Sequence, residues 1–297
     1  MTWLWAILGV GVACGIWGIF IERYLFVVRK DAVSILPAGS NPIRVLHISD
    51  LHLAPWQKRK QKFIRSLSEL KPDLVINTGD NLGHAGAIDA LLESTDGLRK
   101  IPGAFVNGSN DYHSPTFRNP LSYLFKPSTP THAEPLNTAK MTGEFERSGW
   151  VNLNNRSGHL TIEGIKLGFV GLDDPHDGLA AYESLDRQSS EVAKSDFVIG
   201  VSHAPYMKVL EGMAGAGAKI LFAGHTHGGQ VCLPLKGAII TNCDLPTHAA
   251  RGLSRWSFAG RNLILNVCAG LGTSIFAPVR FFCRPEVRLL ELQPKKD

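Results

Sequence analysis

The chain lacks the cysteine pattern of a disulfide-stabilised protein and has little excess of one charge. Its five cysteines are odd in number and form no C-x-x-C pair, which argues against a disulfide framework and fits a reducing compartment. The net charge of +5 is too small to indicate nucleic acid by itself. Only 19% of the 297 residues are charged and 44% are hydrophobic, which excludes a disordered chain and predicts a globular one.

Charge is also missing from the N-terminal segment. Residues 2–21 carry no charged side chain, and 20 residues of helix span roughly 30 Å, the thickness of the hydrocarbon core of a bilayer. The basic start and the small-residue cleavage site of a signal peptide are absent. Residues 1–30 are therefore predicted to be an uncleaved membrane anchor. Arg23, Arg29 and Lys30 follow the span and no basic residue precedes it, so the positive-inside rule places the remaining chain in the cytoplasm.

Beyond the anchor, short apolar runs alternate with amphipathic segments. The runs predict strands at residues 43–49, 74–77, 104–106, 168–172, 197–201 and 220–223. Apolar residues at helical spacing predict helices over residues 58–70 and 85–98. Strands interleaved with helices indicate a layered α/β architecture around a core sheet.

Residues 112–148 interrupt this alternation with five prolines among polar and basic residues. They are predicted to form a long loop with a short helix near residues 138–147. Long loops in compact domains are usually functional or disordered, so two readings stay open: the loop covers a site, or it is a solvated insertion without a catalytic role.

Five polar clusters follow the apolar runs, and they share the donor groups that transition metals prefer. Their metal-binding side chains are Asp50, His52, Asp80, Asn110, His203, His225 and His227. Ligands of open α/β sheets collect at the carboxyl ends of strands, so the shared placement predicts a single site. A mixture of imidazole and carboxylate suits Mn, Fe or Zn. Two such ions can activate a water molecule and hold a phosphoryl group, which indicates a metal-dependent phosphoesterase.

The ordered set D-x-H, G-D-N, G-x-N-D, S-H and G-H-T-H resembles the calcineurin-like metallophosphoesterases over residues 43–292, and residues 47–52 and 224–230 resemble their membrane-anchored bacterial branch. The resemblance implies a four-layered α/β/β/α sandwich in that segment. It also implies two transition-metal ions, the first held by Asp50, His52 and His227, the second by His203, His225 and Asn110, with Asp80 bridging both. A hydroxide bridging the ions would attack phosphorus in line with the leaving group.

The third cluster departs from the family pattern. The family reads G-N-H-D or G-N-H-E, whereas this chain has Gly108-Ser109-Asn110-Asp111. Aligned without a gap, Ser109 replaces the ligand and Asn110 replaces the histidine that contacts phosphate. Shifted by one residue, Asn110 stays a ligand and Asp111 takes the phosphate contact; we favour this alignment because a neutral hydroxyl is a poor metal donor. In both alignments the protonating histidine is missing, which favours a pyrophosphate or an activated diester as substrate.

Three further features have two readings each. Asp173, Asp174 and His176 either touch the substrate or form a turn built on Asp-Asp-Pro, and the turn is favoured. The basic run at residues 58–65 either attracts an anionic lipid headgroup or is a solvated helix face. His47 belongs to no cluster, and an isolated histidine of this kind is usually structural or on the surface.

The function expected from these features is hydrolysis of a phosphodiester, pyrophosphate or phosphomonoester of a lipid- or nucleotide-linked metabolite. The related branch resembles enzymes that split UDP-diacylglucosamine, so a glycolipid precursor is one specific substrate. The alternatives are a nuclease or cyclic-nucleotide phosphodiesterase, and a non-catalytic metal-binding scaffold at the membrane. A nuclease would need a basic groove with interleaved aromatic residues, and the sequence has none, so nucleic acid is not expected as a partner.

Overall fold

The computed structural model describes residues 2–115 and 133–296 and contains two six-stranded sheets. The strands of the first sheet are β1 (Val27–Leu36), β2 (Ile43–Ile48), β3 (Leu74–Asn77), β4 (Gly103–Phe105), β5 (Val151–Asn152) and β14 (Glu286–Pro294). Their order across the sheet is β1-β14-β2-β3-β4-β5. Strands β2 to β5 run parallel, and β14 is antiparallel to β2.

The second sheet has the order β12-β13-β9-β8-β7-β6. Its strands are β6 (Ser157–Ile162), β7 (Ile165–Gly171), β8 (Phe197–Val201), β9 (Ile220–Ala223), β12 (Gly252–Phe258) and β13 (Arg261–Val267). The four central strands are parallel and both edge strands are antiparallel to their neighbours. A separate hairpin is formed by β10 (Cys232–Leu233) and β11 (Gly237–Ala238).

Helices cover the outer face of each sheet, which gives four layers. The helices of the domain are α2 (Lys58–Ser66), α3 (Ile88–Arg99), α4 (Ser109–Tyr112), α5 (Thr138–Arg147), α6 (Ser184–Val192) and α7 (Met207–Gly215). Because successive strand residues face opposite sides, Val45 packs between the sheets while Leu46 packs under α2 and α3. Helices α6 and α7 cover the second sheet through Leu185 and Val209. The predicted α/β/β/α sandwich is confirmed.

The elements predicted from apolar periodicity occur where the sequence indicates them. The helix predicted over residues 58–70 consists of α2 followed by a 3₁₀ turn, Leu67–Leu70. The helix predicted near residues 138–147 is α5. Most of the proline-rich segment that precedes α5 lies outside the described residues, so its role as a cover for the site stays a prediction.

Strand β1 was not anticipated, and it precedes the predicted domain start at residue 43. It pairs with β14 along its length, so the first sheet begins directly after the apolar helix. The charges of Arg29 and Asp31 conceal the strand in the sequence. Both are used across the pair, Arg29 lying 3.5 Å from Glu286 and Asp31 2.5 Å from Arg288. Charged side chains on an edge strand also oppose pairing with other chains.

The N-terminal helix projects from the domain and is tied to it at its base. Helix α1 (Thr2–Ile16) continues through a π turn and a 3₁₀ turn to residue 24, and this 23-residue stretch is long and apolar enough to cross a membrane. At its base, the carbonyl of Gly18 accepts a hydrogen bond from the backbone N–H of Arg280 at 3.1 Å. The buried Glu22 carboxylate accepts the N–H of Cys283 at 2.7 Å. The candidate span is therefore anchored to the domain through the segment around residue 280.

Candidate metal centre

The polar clusters of both sheets converge at one edge of the sandwich. Asp50 and Asp80 follow β2 and β3 of the first sheet, and His203 follows β8 of the second. Potential ligand atoms of these three residues lie within 4.8 Å of one another. A second group, with the same spacing limit, joins Asp50 to His52 and His227. The carboxyl ends of the strands thus bring together side chains that are far apart in the sequence. Asp50 and His227, for example, are separated by 177 positions.

Two carboxylates lie between the imidazoles. Oδ2 of Asp80 is 3.4 Å from Nε2 of His52 and 3.6 Å from Nε2 of His203. Oδ1 of Asp50 is 3.6 Å from Nε2 of His227. Asp50 belongs to both groups of ligand atoms, and Asp80 contacts one histidine from each. Either carboxylate is therefore placed to be shared by two neighbouring cations.

Two imidazole nitrogens of the site lack hydrogen-bond partners in the described part of the chain and are suited to bind metal ions. Nε2 of His52 and Nε2 of His203 are buried, and neither has a hydrogen-bond partner among the described residues. Nδ1 of His203 donates to the carbonyl of Thr78 at 2.7 Å, so in the neutral ring the lone pair of Nε2 is directed at Asp80. Buried polar atoms without partners are costly, and a bound cation would satisfy both. The family pattern of two metal ions therefore fits these residues.

Backbone strain is concentrated at the same positions. Left-handed φ angles, uncommon for residues other than glycine, occur at Asp50 (46°), His52 (38°), Asp80 (53°), His225 (65°) and His227 (49°). The i, i+2 spacing of Asp50 and His52 would place both side chains on one side of an extended segment, but these φ angles show that the backbone is not extended there, and the same holds for His225 and His227. Tight turns, not extended chain, bring these side chains together, and such strain clusters at functional sites.

Two glycines let the loops approach the carboxylates. A Cβ on Gly108 would lie 2.3 Å from Oδ1 of Asp80 and 2.8 Å from Cε1 of His203. A Cβ on Gly224 would lie 2.3 Å from Oδ2 of Asp50. These positions need glycine because the backbone itself packs against the carboxylate and imidazole side chains of the candidate metal site.

His225 has a less direct position than the other predicted ligands. It belongs to neither group of ligand atoms, although its backbone N–H donates to Oδ2 of Asp50 at 3.0 Å. Its ring packs between His203 and His176, with ring centroids 5.2 and 4.6 Å away, and its Nε2 lies 3.3 Å from the carbonyl of Asn242. Its role as a metal ligand stays a prediction.

In the third cluster, the side chains of Asn110 and Asp111 have different hydrogen-bond partners. Asn110 faces the site and donates its backbone N–H and its side-chain amide to the two oxygens of Asp80, at 2.9 and 2.8 Å. Asp111 is fully buried and accepts hydrogen bonds from the backbone N–H of Asn81 at 2.8 Å and of Gly108 at 3.1 Å. Its carboxylate therefore caps the first turn of α4, and the phosphate contact predicted for it stays a prediction. Backbone donors at a helix start attract the carboxylate inward.

The pKa values of three imidazoles are lowered by burial. Burial, opposed by the Asp80 carboxylate, lowers the pKa of His52 to about 4. Burial also lowers the pKa of His225 and of His227 well below the ordinary value, with further lowering from the neighbouring histidines. These side chains are neutral at pH 7, and the neutral imidazole is the form that binds a metal.

His203 differs because carboxylates surround it. Burial disfavours its charged form, but the carboxylates of Asp80, Asp174 and Asp50 together raise the pKa of His203 to about 9. Burial in turn raises the pKa of Asp50 to about 6, although His203 opposes this. Without metal, the positive charge of His203 partly neutralises the buried carboxylates. Bound cations would take over that neutralisation, so metal binding and loss of this proton are linked.

The Asp-Asp-Pro segment forms the predicted turn and also borders the site. Oδ1 of Asp174 accepts the N–H of His176 at 2.9 Å, which is the hydrogen bond expected of such a turn. Oδ2 of Asp174 is buried without a partner among the described residues. Asp173 accepts a hydrogen bond from the hydroxyl of Tyr112 at 2.7 Å. The turn therefore supplies additional negative charge beside His203.

Arg280 connects the site to the apolar helix, and no sequence pattern predicts this role. Arg280 is fully buried and donates Nη1 to the carbonyl of His227 at 3.0 Å. Its Nη2 donates to the carbonyls of Gly270 at 3.2 Å and Gly272 at 2.6 Å. No motif surrounds this position, and its partners come from loops that only the fold brings together.

Lys60 is a second buried charged residue, although the basic run that contains it is predicted to lie on the surface. It lies in the basic run of α2, yet it is buried and donates Nζ to the carbonyl of Leu51 at 2.8 Å. Burial and the charges of Arg280 and Arg23 lower the pKa of Lys60 to about 7. The solvated reading of the basic run is therefore wrong for Lys60, which supports the loop between Asp50 and His52.

Comparison with known proteins agrees with the geometry. The sequence profile of the calcineurin-like phosphoesterases matches residues 43–229. The chain is 25% identical over 286 residues to an uncharacterized metallophosphoesterase of Bacillus subtilis, YkuE, covering 92% of this chain and 88% of that protein. It is also 25% identical over 271 residues to a bovine transmembrane protein with a metallophosphoesterase domain, covering 87% of this chain but only 54% of the relative.

A dimetal phosphatase from Danio rerio aligns with a TM-score of 0.43 and 12% identity, covering 78% of this chain and 88% of that one. The profile match spans all five polar clusters except the last residue of the longer G-H-T-H-G-G-Q string.

Proposed function

The chain belongs to the calcineurin-like phosphoesterase family and is a metal-dependent phosphoester hydrolase, and we propose that its substrate is a phosphodiester or pyrophosphate of a lipid-linked metabolite. One observation carries the choice of substrate class. Arg280 contacts the base of the candidate membrane helix through the carbonyl of Gly18 and the metal centre through the carbonyl of His227. This connection supports the proposal, because it links the metal centre to the end of the helix where a lipid-linked phosphate would meet the enzyme.

The proposed ligand sets follow the predicted ones. Asp50, His52 and His227 would hold one ion, and His203, His225 and Asn110 the other, with Asp80 between them. Mn, Fe or Zn would supply positive charge for the phosphoryl oxygens and lower the pKa of a coordinated water. Asn110 would orient Asp80 through its two hydrogen bonds, and Thr78 would hold the tautomer of His203.

We further propose that the leaving group needs little protonation. The third cluster has no histidine, and Asp111, the remaining acid of that cluster, is buried and bonded to backbone N–H groups. Pyrophosphates and aryl diesters release stable anions, whereas alkyl phosphates require a proton donor. Rapid hydrolysis of glycerol phosphate at neutral pH would contradict this proposal.

The test is Mn²⁺-dependent hydrolysis of bis-p-nitrophenyl phosphate by the full chain in detergent. We expect His203→Ala to lower kcat/KM by about 10²-fold or more, because the variant loses a buried nitrogen donor beside Asp80. His159→Ala, on edge strand β6, is the matched control and should retain wild-type activity. Equal rates for His203→Ala and the wild type would refute the proposed site.

The substrate class is tested with matched compounds. A nucleotide-diphosphate-linked diacyl glycolipid in mixed micelles should be hydrolysed about tenfold more efficiently than the same compound without acyl chains, a difference of about 1.4 kcal/mol. Equal kcat/KM values for the two compounds would show that the lipid portion is not recognised and would favour a soluble substrate.

We also propose that the hydrolase domain faces the cytoplasm, since Arg23, Arg29 and Lys30 follow the candidate span. In intact cells, a membrane-impermeant maleimide should label Thr2→Cys but should label Lys194→Cys, on the exposed surface after α6, only after permeabilisation. Labelling of Lys194→Cys in intact cells would reverse the proposed orientation.

A further inference from the structure

A cavity lies where the apolar helix meets the domain, apart from the metal centre. Its volume is about 320 Å³, within the range of about 300–1,000 Å³ seen for small-molecule sites. Its apolar lining comes from Trp17 and Leu25, at the base of the helix, and from Phe282. The cavity therefore combines apolar walls with a position at the end of the candidate membrane span.

Three guanidinium groups and one carboxylate line this cavity. The arginines are Arg29, Arg251 and Arg284, and the acid is Glu22. The carboxylate of Glu22 already accepts three hydrogen bonds. The donors are the indole N–H of Trp17 at 2.8 Å and the backbone N–H groups of Phe282 at 3.0 Å and Cys283 at 2.7 Å. Its charge does not neutralise the arginines through direct ion pairs, so the cavity favours an anion.

The arginines retain donors for a ligand. Arg284 donates Nε to the carbonyl of Leu25 at 2.9 Å, which orients its guanidinium and leaves the terminal nitrogens available. Arg29 is paired with Glu286 at a distance of 3.5 Å, but the shorter ion pair of that carboxylate, 3.0 Å, is with Arg288. Arginine binds phosphate oxygens through its planar fork of N–H donors.

The surface beside the cavity is apolar. Val231 forms a β-bridge with Phe281, which places the β10–β11 hairpin next to the cavity wall. Leu233 and Leu235 of this hairpin are exposed, the latter completely, and Phe282 is 53% exposed. Exposed apolar side chains next to the base of an apolar helix fit the surface of a bilayer.

We propose that this cavity binds the phosphate headgroup of an anionic membrane phospholipid, with Arg29, Arg251 and Arg284 on the phosphate and the hairpin resting on the acyl boundary. The bound lipid fixes the depth in the membrane of the helix base and of the segment around Arg280. The lipid bound here is structural, and the cavity is separate from the site of hydrolysis. Lipid binding in the cavity therefore does not depend on which substrate is hydrolysed.

The experiment measures lipid retention on the full chain in detergent by native mass spectrometry. The probes are phosphatidylglycerol and phosphatidylcholine with identical acyl chains, supplied in equal amounts. We expect about threefold or greater retention of phosphatidylglycerol over phosphatidylcholine, because the arginines attract net negative charge. Arg284→Gln and Arg29→Gln, tested separately, should remove this preference.

Arg147→Gln is the matched control, because Arg147 is exposed on α5, which packs beside β5 at the sheet edge opposite β1. It should keep the preference, and all three variants should hydrolyse bis-p-nitrophenyl phosphate at the wild-type rate, which shows that they fold. Equal retention of the two lipids by the wild type would overturn the proposal, and so would a preference unchanged in both cavity variants. Displacement of phosphatidylglycerol by millimolar sn-glycerol 3-phosphate would also overturn it, in favour of a soluble phosphate ligand.

Discussion

Replacing Asp80 with Asn is expected to lower kcat/KM for bis-p-nitrophenyl phosphate by about 10³-fold, equivalent to about 4 kcal/mol of lost transition-state stabilisation. Oδ2 of Asp80 lies 3.4 Å from Nε2 of His52 and 3.6 Å from Nε2 of His203, and it accepts the amide of Asn110 at 2.8 Å. An amide nitrogen at this position cannot bind a cation and would face another donor. Removal of one charge therefore affects both groups of ligand atoms.

The pKa of Asp80 supports the large effect expected from this substitution. Burial alone would raise its pKa, but His203 and His52 hold the pKa of Asp80 well below the ordinary value, so it stays ionised at any working pH. Metal analysis should find two ions per wild-type chain and fewer than one in Asp80→Asn. Asp96→Asn, an exposed change on α3, serves as the control with unchanged activity and metal content. Two ions and more than a tenth of the activity in Asp80→Asn would disprove the shared role of this carboxylate.

Replacing Arg280 with Met should lower the free energy of unfolding by about 3–5 kcal/mol, because several buried carbonyl groups would lose their donor and each unsatisfied group costs about 1–3 kcal/mol. The guanidinium donates to the carbonyls of His227, Gly270 and Gly272, and to that of Ala269 at 2.7 Å. Methionine fills similar volume but leaves these carbonyls without a donor. The loop that carries His227 would lose its support, so metal affinity should fall as well.

Arg280→Lys tests whether the positive charge alone is sufficient or whether the planar guanidinium is needed. A lysine keeps the charge but cannot reach several carbonyls with a planar fork, so an intermediate loss is expected. Arg255→Met, at an exposed site on β12, is the matched control and should change stability by less than about 0.5 kcal/mol. Chemical unfolding in detergent, followed by tryptophan fluorescence, measures all three variants. A loss below about 1 kcal/mol in Arg280→Met would show that the arginine does not support the loop.

Local sequence accounts for the strands and for the convergence of the site. Residues 43–48 and 197–201 are apolar runs that end in polar residues, and parallel strands bring their carboxyl ends to one edge of a sheet. This logic predicted Asp50, Asp80 and His203 as neighbours before any contact was known. It failed for β1, because the pattern of an edge strand with charged residues does not differ from that of a polar linker.

The conformation of the turns and the burial of charge depend on contacts between distant segments. The left-handed φ of Asp50 and the hydrogen bonds of Asp111 arise where loops from separate strands pack together, so neighbouring residues carry no signal for them. Asp111 is an example, because its sequence neighbours do not reveal that backbone N–H groups hold its carboxylate.

The amino-acid sequence by itself determined the layered architecture, the apolar helix and the carboxylate and imidazole side chains that meet at the candidate site, because periodicity and residue type are local properties. Only the tertiary structure decided which residues support them. Arg280 and Lys60 become buried because carbonyl groups from several loops replace water around their charges, and that exchange exists only in the folded chain.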